Sequence, residues 1–463
     1  MLRVAAAIEA DGIPAVAVCS EAFGPMARAI AVASGVPRLP VVEYPGPGLI
    51  LTDPDQEFTR KVTGEMLSDL ARGLTRETRD EDARSSETGR REGESEEYEP
   101  RGVLFRGGID EVNDYFYSRG WTDGLPVIPP TVERVEQFVA LADRDPQEVL
   151  GVLRPENREA TPWNCAVNAV MAGCRPEHMP ILVAIVEAIA DPVFHLQDAG
   201  STPGWEPIVC VSGPIVSSLE FNADAGVMRA GCRPNTAIGR FLRLYMRNVA
   251  GLRIPPFATD QAGIGYTFNV VLPESAANVE RSGWPSIRAE LGVGADESIV
   301  VLQSVRSISP PIYSMGSSPD DHIDAISHVT RSTIESSVHR AYKSGRQFPL
   351  VVMTAGVARV LSSAGMSRRD FGQRIAERCL MPLDDIQLWA ERTGSSGFLA
   401  ERSMHSWGWE LVTSCGRSLA RMIVDPDMVL TIVAGNPGRN QTRVYCDNSP
   451  QGQRVVKKIR ACT

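Results

Sequence analysis

The sequence predicts an α/β fold whose sheets are largely parallel. Apolar, β-branched runs at residues 207–212, 298–305 and 348–354 have the length of buried strands. Gly213-Pro214 follows the first run, and Gly356 with a helical pattern follows the third. Strands that alternate with helices are typical of α/β proteins. Two further strands are predicted at residues 266–272 and 428–434.

Composition narrows the class of protein. Hydrophobic content of 43% and charged content of 22% are ordinary for a globular chain, and 463 residues predict two or three domains. A net charge of −10 argues against a general binder of nucleic acid or of membrane surfaces, although residues 229–253 form a candidate basic patch. No apolar run reaches the roughly 18–20 residues of a membrane helix, and Glu9 and Asp11 interrupt any signal-peptide core. We therefore expect a cytoplasmic protein.

The nine cysteines show no spacing typical of a disulfide framework, which predicts reduced thiols. The chain contains no Cys-x-x-Cys, no His-Glu-x-x-His, no Walker loop and no Gly-x-Gly-x-x-Gly. We predict no metal site, and the cofactor stays unknown.

Changes in composition divide the chain into four regions. Residues 1–70 predict a small α/β lobe with helices at 2–10 and 23–34 and strands at 15–19 and 41–42. Its first helix has no cap and no preceding strand, so we expect a segment to be missing before it. Residues 71–102 have almost no apolar side chain and predict a disordered linker, with an exposed helix laced with ion pairs as the alternative. The main domain is predicted at 103–345 and a C-terminal α/β sublobe at 346–463.

Residues 121–131, Trp-Thr-Asp-Gly-Leu-Pro-Val-Ile-Pro-Pro-Thr, form a segment that we call the strap. An Asp-Gly turn and three prolines predict a stiff, extended path, and Thr131 can cap a helix at 132–142. In one interpretation the strap packs Trp121 and Ile128 on the core. In the other it holds Asp123 at the mouth of a site, as an acid or base.

The motif Ala-Gly-Cys-Arg-Pro occurs at residues 172–176 and again at 230–234. The first copy ends a predicted helix that begins at Thr161-Pro162, and the second precedes one that begins near Asn235. We call these segments the first and second repeat. They indicate the location of a site but not its reaction.

Cys232 in the second repeat is the strongest candidate for a catalytic thiol. Arg229, Arg233 and a helix N-terminus favour its thiolate form. Cys174 follows a helix C-terminus, which disfavours a thiolate, although Arg175 partly offsets this. The two cysteines could form a redox pair if the repeats face each other, whereas buried, inert thiols are the alternative. Cys415, before a possible helix, is the second candidate for a reactive thiol.

The second repeat also predicts a site for a carboxylate or phosphate. Asn235 and Thr236 could offer backbone N–H groups, and Arg233 and Arg240 could add charge. The alternative is a solvated face on which Arg240, Arg243 and Arg247 pair with local acids.

Three other sets of residues have open interpretations. On the long helix predicted at 320–342, Asp324–His328 and Glu335–His339 form two pairs, each with a spacing of four residues that could hold a metal ion. The two pairs are too far from each other along the helix to share one ion, so a surface stripe is the better interpretation. The loop 435–440 follows a strand, as ligand loops do, but a plain turn explains it equally well. His405, beside Trp407 and Trp409, is ambiguous.

Two parts of the chain resemble known families. Gly12-Ile13-Pro14, Cys19 to Phe23, Gly35-Val36-Pro37 and Pro40 resemble the C-terminal part of the UGSC-motif domain, named for a (seleno)cysteine-Gly-Ser-Cys sequence. The motif itself would lie upstream and is absent here, and Tyr44 departs from the pattern. The strap, residues 168–174 and residues 235–240 resemble a large domain often found beside or fused to UGSC-type (seleno)proteins. This resemblance implies an α/β architecture and a role linked to a thiol or selenol.

The leading expectation is an enzyme, or enzyme subunit, that carries out thiol-assisted redox chemistry or carbon–heteroatom cleavage on a small anionic substrate. The first alternative is a non-catalytic subunit that binds a ligand or a UGSC-type partner protein. A hydrolase or lyase without a redox step is the second. A homo-oligomer is possible, and neither nucleic acid nor membrane is expected as a partner.

Overall fold

The computed structural model describes residues 5–6, 8–9, 12–21, 24–33, 35–44, 63–76, 101–200, 204–254, 265, 267–338, 347–392, 410–447 and 452–460. The fold is α/β, as predicted. Most of the predicted linker lies outside these residues. Among them, no single helix is long and apolar enough to cross a membrane. The helical segments Pro176–Ala190 and Pro192–Asp198 reach that length and apolar composition only when they are taken together, and the chain bends by 65° between them.

The N-terminal lobe contains two short parallel strands, β1 (Ala17–Ser20) and β2 (Val41–Tyr44), and two helices, α1 (Gly24–Ala33) and α2 (Gly64–Thr75). Its small core consists mainly of alanines. Buried Glu9 accepts the N–H of Ala15 and pairs with Arg76, which follows α2. Helix α2 therefore continues past the predicted boundary at residue 70 and is attached to the lobe.

The described part of the large region contains twelve α-helices of different lengths, most of them placed between strands. Helices α3 to α8 lie in the first half of this region and are Ile109–Ser118, Val132–Val139, Pro162–Ala172, Met179–Ala190, Ile215–Ser218 and Arg233–Tyr245. Helices α9 to α14 are Ala276–Ser282, Ile287–Glu290, Pro319–Val338, Ala355–Ser363, Arg368–Arg378 and Leu383–Arg392. A π-helix, Met246–Ala250, continues α8.

The first large sheet has four strands. They are β5 (Glu206–Ser212), β6 (Leu272–Glu274), β7 (Ser298–Val305) and β16 (Val455–Ile459), in the order β16-β7-β5-β6. Every residue of β5 and β7 is buried. Helices α5, α6 and α8 share one apolar core with this sheet.

The second large sheet has five strands. They are β8 (Ser307–Ile308), β9 (Ile312–Tyr313), β10 (Leu350–Met353), β14 (Leu430–Val433) and β15 (Gln441–Cys446). Smaller sheets pair β3 (Gly151–Leu153) with β4 (Arg158–Ala160), and β11 (Leu380–Pro382) with β13 (Arg417–Arg421) and β12 (Leu411–Ser414).

The sheets are mixed, so the expectation of largely parallel sheets was wrong. Only β5–β6 and β10–β14 are parallel pairs in the large sheets, and β7, β15 and β16 run antiparallel to their neighbours. The reason is clear for β15, which follows β14 after a short loop that reverses the chain. Because β14 runs parallel to β10, β15 pairs with β10 in the antiparallel direction. A strand parallel to β14 would need a long crossover.

The two predicted sublobes share their sheets. Strand β16 belongs to the predicted C-terminal sublobe but pairs with β7, while β8 and β9 precede residue 345 and pair with β15. The sequence boundary at 345 therefore does not separate the sheets.

Candidate functional site

The strap crosses α8 and is held there by hydrogen bonds from that helix and its π-helical extension. Arg240 donates to both carboxylate oxygens of Asp123, at 2.9 and 2.8 Å, and to the carbonyl of Pro126. Arg247 donates to the carbonyl of Gly120 at 2.6 Å. A bidentate arginine–carboxylate pair fixes both direction and register, so the strap is anchored to α8.

This ion pair changes the roles predicted for Asp123 and Arg240. Burial raises the pKa of Asp123, but the hydrogen bonds and charge of Arg240 outweigh burial and leave that pKa below its usual range. A carboxylate held ionised in this way is a poor proton donor. Two of the three guanidinium nitrogens of Arg240 donate hydrogen bonds to the strap. Binding of an anion by Arg240, as predicted, would therefore compete with these hydrogen bonds.

Arg243 pairs with Glu206, and both are largely buried. Together with Arg240 and Arg247, it fits the alternative in which the arginine face of α8 pairs with local groups.

Cys232 is the N-cap residue of α8 and is partly exposed. Its Sγ lies 3.4 Å from the carbonyl oxygen of Glu220, to which the thiol donates. Glu220 has a positive φ of 56°, a conformation that L-residues rarely adopt. A strained backbone of this kind is often found at functional sites. The structure therefore places the predicted thiol against an unusual point of the chain.

Asn235 is fully buried, and its side chain joins three segments. Its amide accepts the N–H of Asn222 at 2.9 Å and donates to the carbonyls of Asn222 and Val271. Thr236 accepts the N–H of Gly231 at 3.1 Å. These side-chain contacts shape the loop before α8. The backbone N–H of Thr236 donates to the carbonyl of Cys232 at 3.0 Å. The anion site predicted at Arg233, Asn235, Thr236 and Arg240 stays a prediction.

Cys174 follows Gly173, which ends α5 in the left-handed conformation, as predicted. Burial raises the pKa of its thiol, and it also raises the pKa of neighbouring Cys165. Cys174 and Cys232 are both free thiols. A desolvated thiol is a poor nucleophile, so the structure disfavours Cys174 as the reactive member of a pair.

His178 follows the first repeat and is affected by the charge of one arginine from each repeat. This residue is almost completely buried, and its Nδ1 accepts the N–H of Arg175. The pKa of His178 is lowered to about 4, mainly by burial; the charge of Glu177 opposes this shift, and those of Arg175 and Arg233 add to it. His178 is therefore neutral at pH 7, beside one arginine from each repeat.

A cavity of about 650 Å³ lies at the carboxyl ends of the parallel strands β5 and β6. Ligands in α/β proteins commonly bind at this edge of a sheet. The wall includes Ser212 and Glu274 at the strand ends and Glu220, whose carbonyl contacts Cys232. The cavity and the second repeat thus meet at Glu220, and together they form the candidate site.

A second, larger groove of about 810 Å³ is lined by charged residues of α6, β16 and the segment before β7. Lys457 pairs there with Asp191, and Lys458 with Glu297. Among the described residues, neither lining contains a cysteine or histidine. Because Cys232 contacts Glu220 of the smaller cavity, whereas both lysines of the groove are engaged in ion pairs, we place the candidate site at the smaller cavity.

Residues 1–76 match the model of the UGSC family. The N-terminal lobe is a UGSC-like domain. The match ends just after α2, which agrees with the attachment of this helix to the lobe. No curated protein and no solved structure matches the chain.

The UGSC-like domain contains one described cysteine, Cys19 in β1. Burial and the charge of Glu43 raise the pKa of its thiol, and Arg28 only partly offsets them. This thiol is therefore not an activated nucleophile.

The structure also places several other segments named in the sequence analysis. Cys415 lies in the hairpin turn between β12 and β13 and not before a helix, because its φ of 49° begins that turn. The loop 435–440 donates the N–H of Gly435 to the carbonyl of Ala223, so it supports the cavity wall. No group of three or more metal-ligating side chains occurs in the described part of the chain. His339, His405, Trp407 and Trp409 lie outside the described residues.

Sequence reasoning missed the cavity and its acidic lining, Glu220, Asp224, Glu274 and Glu280. One signal was available: Gly213-Pro214 directly follows the buried run of β5, where a ligand edge is expected. The acids themselves come from three separate segments, and no spacing in the sequence connects them.

We expect His178 to make stability depend on pH. Its folded pKa of about 4 lies below the usual value of 6.5, so the unfolded chain binds the proton more readily between these values. Stability should therefore fall as pH drops from 6.5 to 4, by on the order of 3 kcal/mol. Urea unfolding at several pH values should show a smaller fall in His178→Gln than in the wild type.

The matched control is His328→Gln, on an exposed face of α11. Burial raises the pKa of Asp447 to about 6, which acts in the opposite direction, so the variants must be compared with the wild type at each pH. Equal pH slopes in all three proteins would contradict the prediction.

Proposed function

We propose that this chain is a thiol-linked enzyme, or the subunit of one, in which Cys232 acts on a small molecule bound in the cavity. The observation that carries the proposal is the position of Cys232. It is partly exposed, begins α8, and contacts Glu220 of the cavity wall. Redox chemistry or carbon–heteroatom cleavage are the reactions that such a thiol and the UGSC-like domain support.

The other described cysteines are less suited to catalysis. Cys415 lies in a hairpin turn away from the cavity lining. In the remaining cases burial raises the pKa of the thiol, which suppresses the nucleophilic thiolate; these are Cys19, Cys165, Cys174, Cys210, Cys379 and Cys446.

The contact with Glu220 implies an activation step. A thiolate has no proton to donate, so the carbonyl of Glu220 must move away from Sγ before the sulfur can attack. Arg229 and Arg233, both exposed, flank the cysteine in sequence and supply positive charge near the developing thiolate. An anionic substrate would depend mainly on Arg233, because Arg240 is engaged by Asp123.

A non-catalytic subunit that binds a UGSC-type partner is the second candidate. In the described residues, β1 and β2 pair only with each other, and a two-stranded sheet is marginal by itself. Leu67 and Leu74 are more than half exposed on α2. Both features favour a partner for the UGSC-like domain. The resemblance of the large domain to one found with such proteins is part of this proposal.

Thiol reactivity tests the proposal without a known substrate. We expect iodoacetamide at pH 7 to alkylate Cys232 about tenfold faster than Cys415, which is exposed but lies in a hairpin turn. Peptide-resolved mass spectrometry of the full chain would measure both rates. A Cys232 that reacts no faster than Cys415 would remove it from the mechanism.

Turnover separates the enzyme from the subunit. The wild-type protein should change the composition of an extract of small metabolites. We expect Cys232→Ser to lose this activity and Cys415→Ser to retain it. Equal turnover by Cys232→Ser would exclude the thiol. No turnover by the wild type, combined with a slow Cys232, would favour the binding subunit.

A further inference from the structure

We propose that the cavity binds a small organic cation, a primary amine with an apolar body. Its volume of about 650 Å³ is in the range of small-molecule sites. Its place at the carboxyl ends of β5 and β6 is where such ligands bind in open α/β sheets. This ligand class differs from the anionic substrate expected in the sequence analysis.

The charge of the lining decides the class of ligand. Glu220, Asp224 and Glu280 line the cavity with exposed carboxylates. Asp224 accepts a hydrogen bond from the neutral amide of Asn278 at 2.9 Å. The described structure shows no ion pair for any of the three. Carboxylates that share a cavity repel one another, and a cation relieves that repulsion.

The other charges of the described lining leave the cavity acidic. Glu274 pairs with Arg368 at 2.9 Å, so its charge is compensated. Arg288, the one cation of the described lining, donates to the backbone carbonyls of Val293 and Gly294 and keeps its positive charge. This charge offsets at most one of the three exposed carboxylates, so the mouth of the cavity keeps a net negative charge.

The lining favours an organic amine over a metal ion. The described residues contain no group of three or more side chains that could hold a metal. Val216, Phe221 and Val279 give the cavity an apolar wall, which suits a hydrocarbon body. Phe221 is the only aromatic residue of the described lining, whereas quaternary ammonium groups require an aromatic cage. Carboxylates and hydroxyls accept the N–H groups of a primary ammonium instead.

This inference concerns binding and does not require Cys232 to be catalytic. It also names the substrate class of the proposed enzyme, and in that respect it rests on the proposed function. The two remain separable because binding is measured without turnover. A ligand with an ammonium group in the cavity and an anionic group at Arg233 would satisfy both charges.

A matched series of hexylamine, hexanol and hexanoate tests the proposal by calorimetry on the full chain at pH 7. We expect only hexylamine to bind measurably. The double variant Glu220→Gln/Glu280→Gln should lower the affinity for hexylamine by about tenfold, because it removes two exposed ion pairs with the ammonium group. Ala277→Trp, at an exposed position of the wall, should block the cavity and abolish binding.

The control Glu136→Gln/Glu159→Gln removes the same charge at exposed positions outside the cavity lining and should bind hexylamine like the wild type. Unfolding midpoints of all variants establish that they fold. Three results would overturn the proposal: hexanoate binding as tightly as hexylamine, equal weakening in the control, or Mg²⁺ or Ca²⁺ displacing hexylamine from the cavity. Amine binding in Cys232→Ser together with lost turnover would support both proposals.

Discussion

Replacing Glu274 with Leu is expected to lower the free energy of unfolding by about 3–5 kcal/mol, because it removes the hydrogen-bonded partner of the buried Arg368 charge. Of its two carboxylate partners in the described structure, Arg368 then keeps only the more distant one, Glu290, at 3.7 Å. The Glu274 side chain is fully buried and the Arg368 side chain is 4% exposed. Glu274 also accepts hydrogen bonds from the hydroxyl of Ser212 and from the backbone N–H groups of Ile287 and Val433. The variant removes the acceptor for all of these donors at once.

The position of Glu274 explains why its loss should affect the whole molecule. It ends β6 in the first large sheet, whereas Val433 ends β14 in the second and Arg368 begins α13. Arg368 also donates to the carbonyl of Thr431 in β14 at 2.7 Å. This one carboxylate therefore joins the two sheets beside the cavity.

A double-mutant cycle in urea distinguishes the ion pair from simple loss of packing. Arg368→Met should lower the free energy of unfolding by about as much as Glu274→Leu. The double variant should be more stable than the sum of the two single changes predicts, because an apolar pair leaves no uncompensated charge. The control is the exposed pair Arg369–Asp427, where Asp427→Asn should change stability by less than about 1 kcal/mol. If Glu274→Leu also fell within that limit, the network would not stabilise the fold.

Gly239→Ala is expected to destabilise the protein by about 3 kcal/mol, through overpacking. A Cβ at this position of α8 would lie 2.4 Å from the backbone carbonyl carbon and oxygen of Asn269 and 2.6 Å from the N of Val270. In a helix, alanine is favoured over glycine by about 1 kcal/mol, so the two effects oppose each other. The clash dominates because backbone atoms cannot rotate away as a flexible side chain would.

The same close approach positions the candidate site. The N–H of Val271 donates to the carbonyl of Asn235, and the Asn235 side chain donates back to Val271. Gly239→Ala should therefore also change the alkylation rate of Cys232, which begins the same helix. Gly64→Ala in α2 is the control, since its Cβ would meet nothing within 4 Å. Unchanged stability in Gly239→Ala would show that residues 269–270 can move away.

The sequence by itself determined the local structure around the repeats. Thr161 caps α5, Pro162 occupies its first turn, and Gly173 ends it in the left-handed conformation, as their intrinsic preferences require. Cys232 lies directly before a helix for the same kind of reason, since proline is favoured in a first turn. The UGSC-like domain was also identified from short motifs, and residues 1–76 confirm it.

Only the tertiary structure decided which charges are free. Asp123 and Arg240 are far apart in sequence, and nothing in either segment predicts their pairing. The acids of the cavity come from separate segments, as does the link from Glu274 to Arg368. Local propensity acts over a few residues, whereas the pairing of a charge depends on which segments the sheets bring together. That is why the sequence analysis named the candidate residues around the second repeat but not the charges that line the neighbouring cavity.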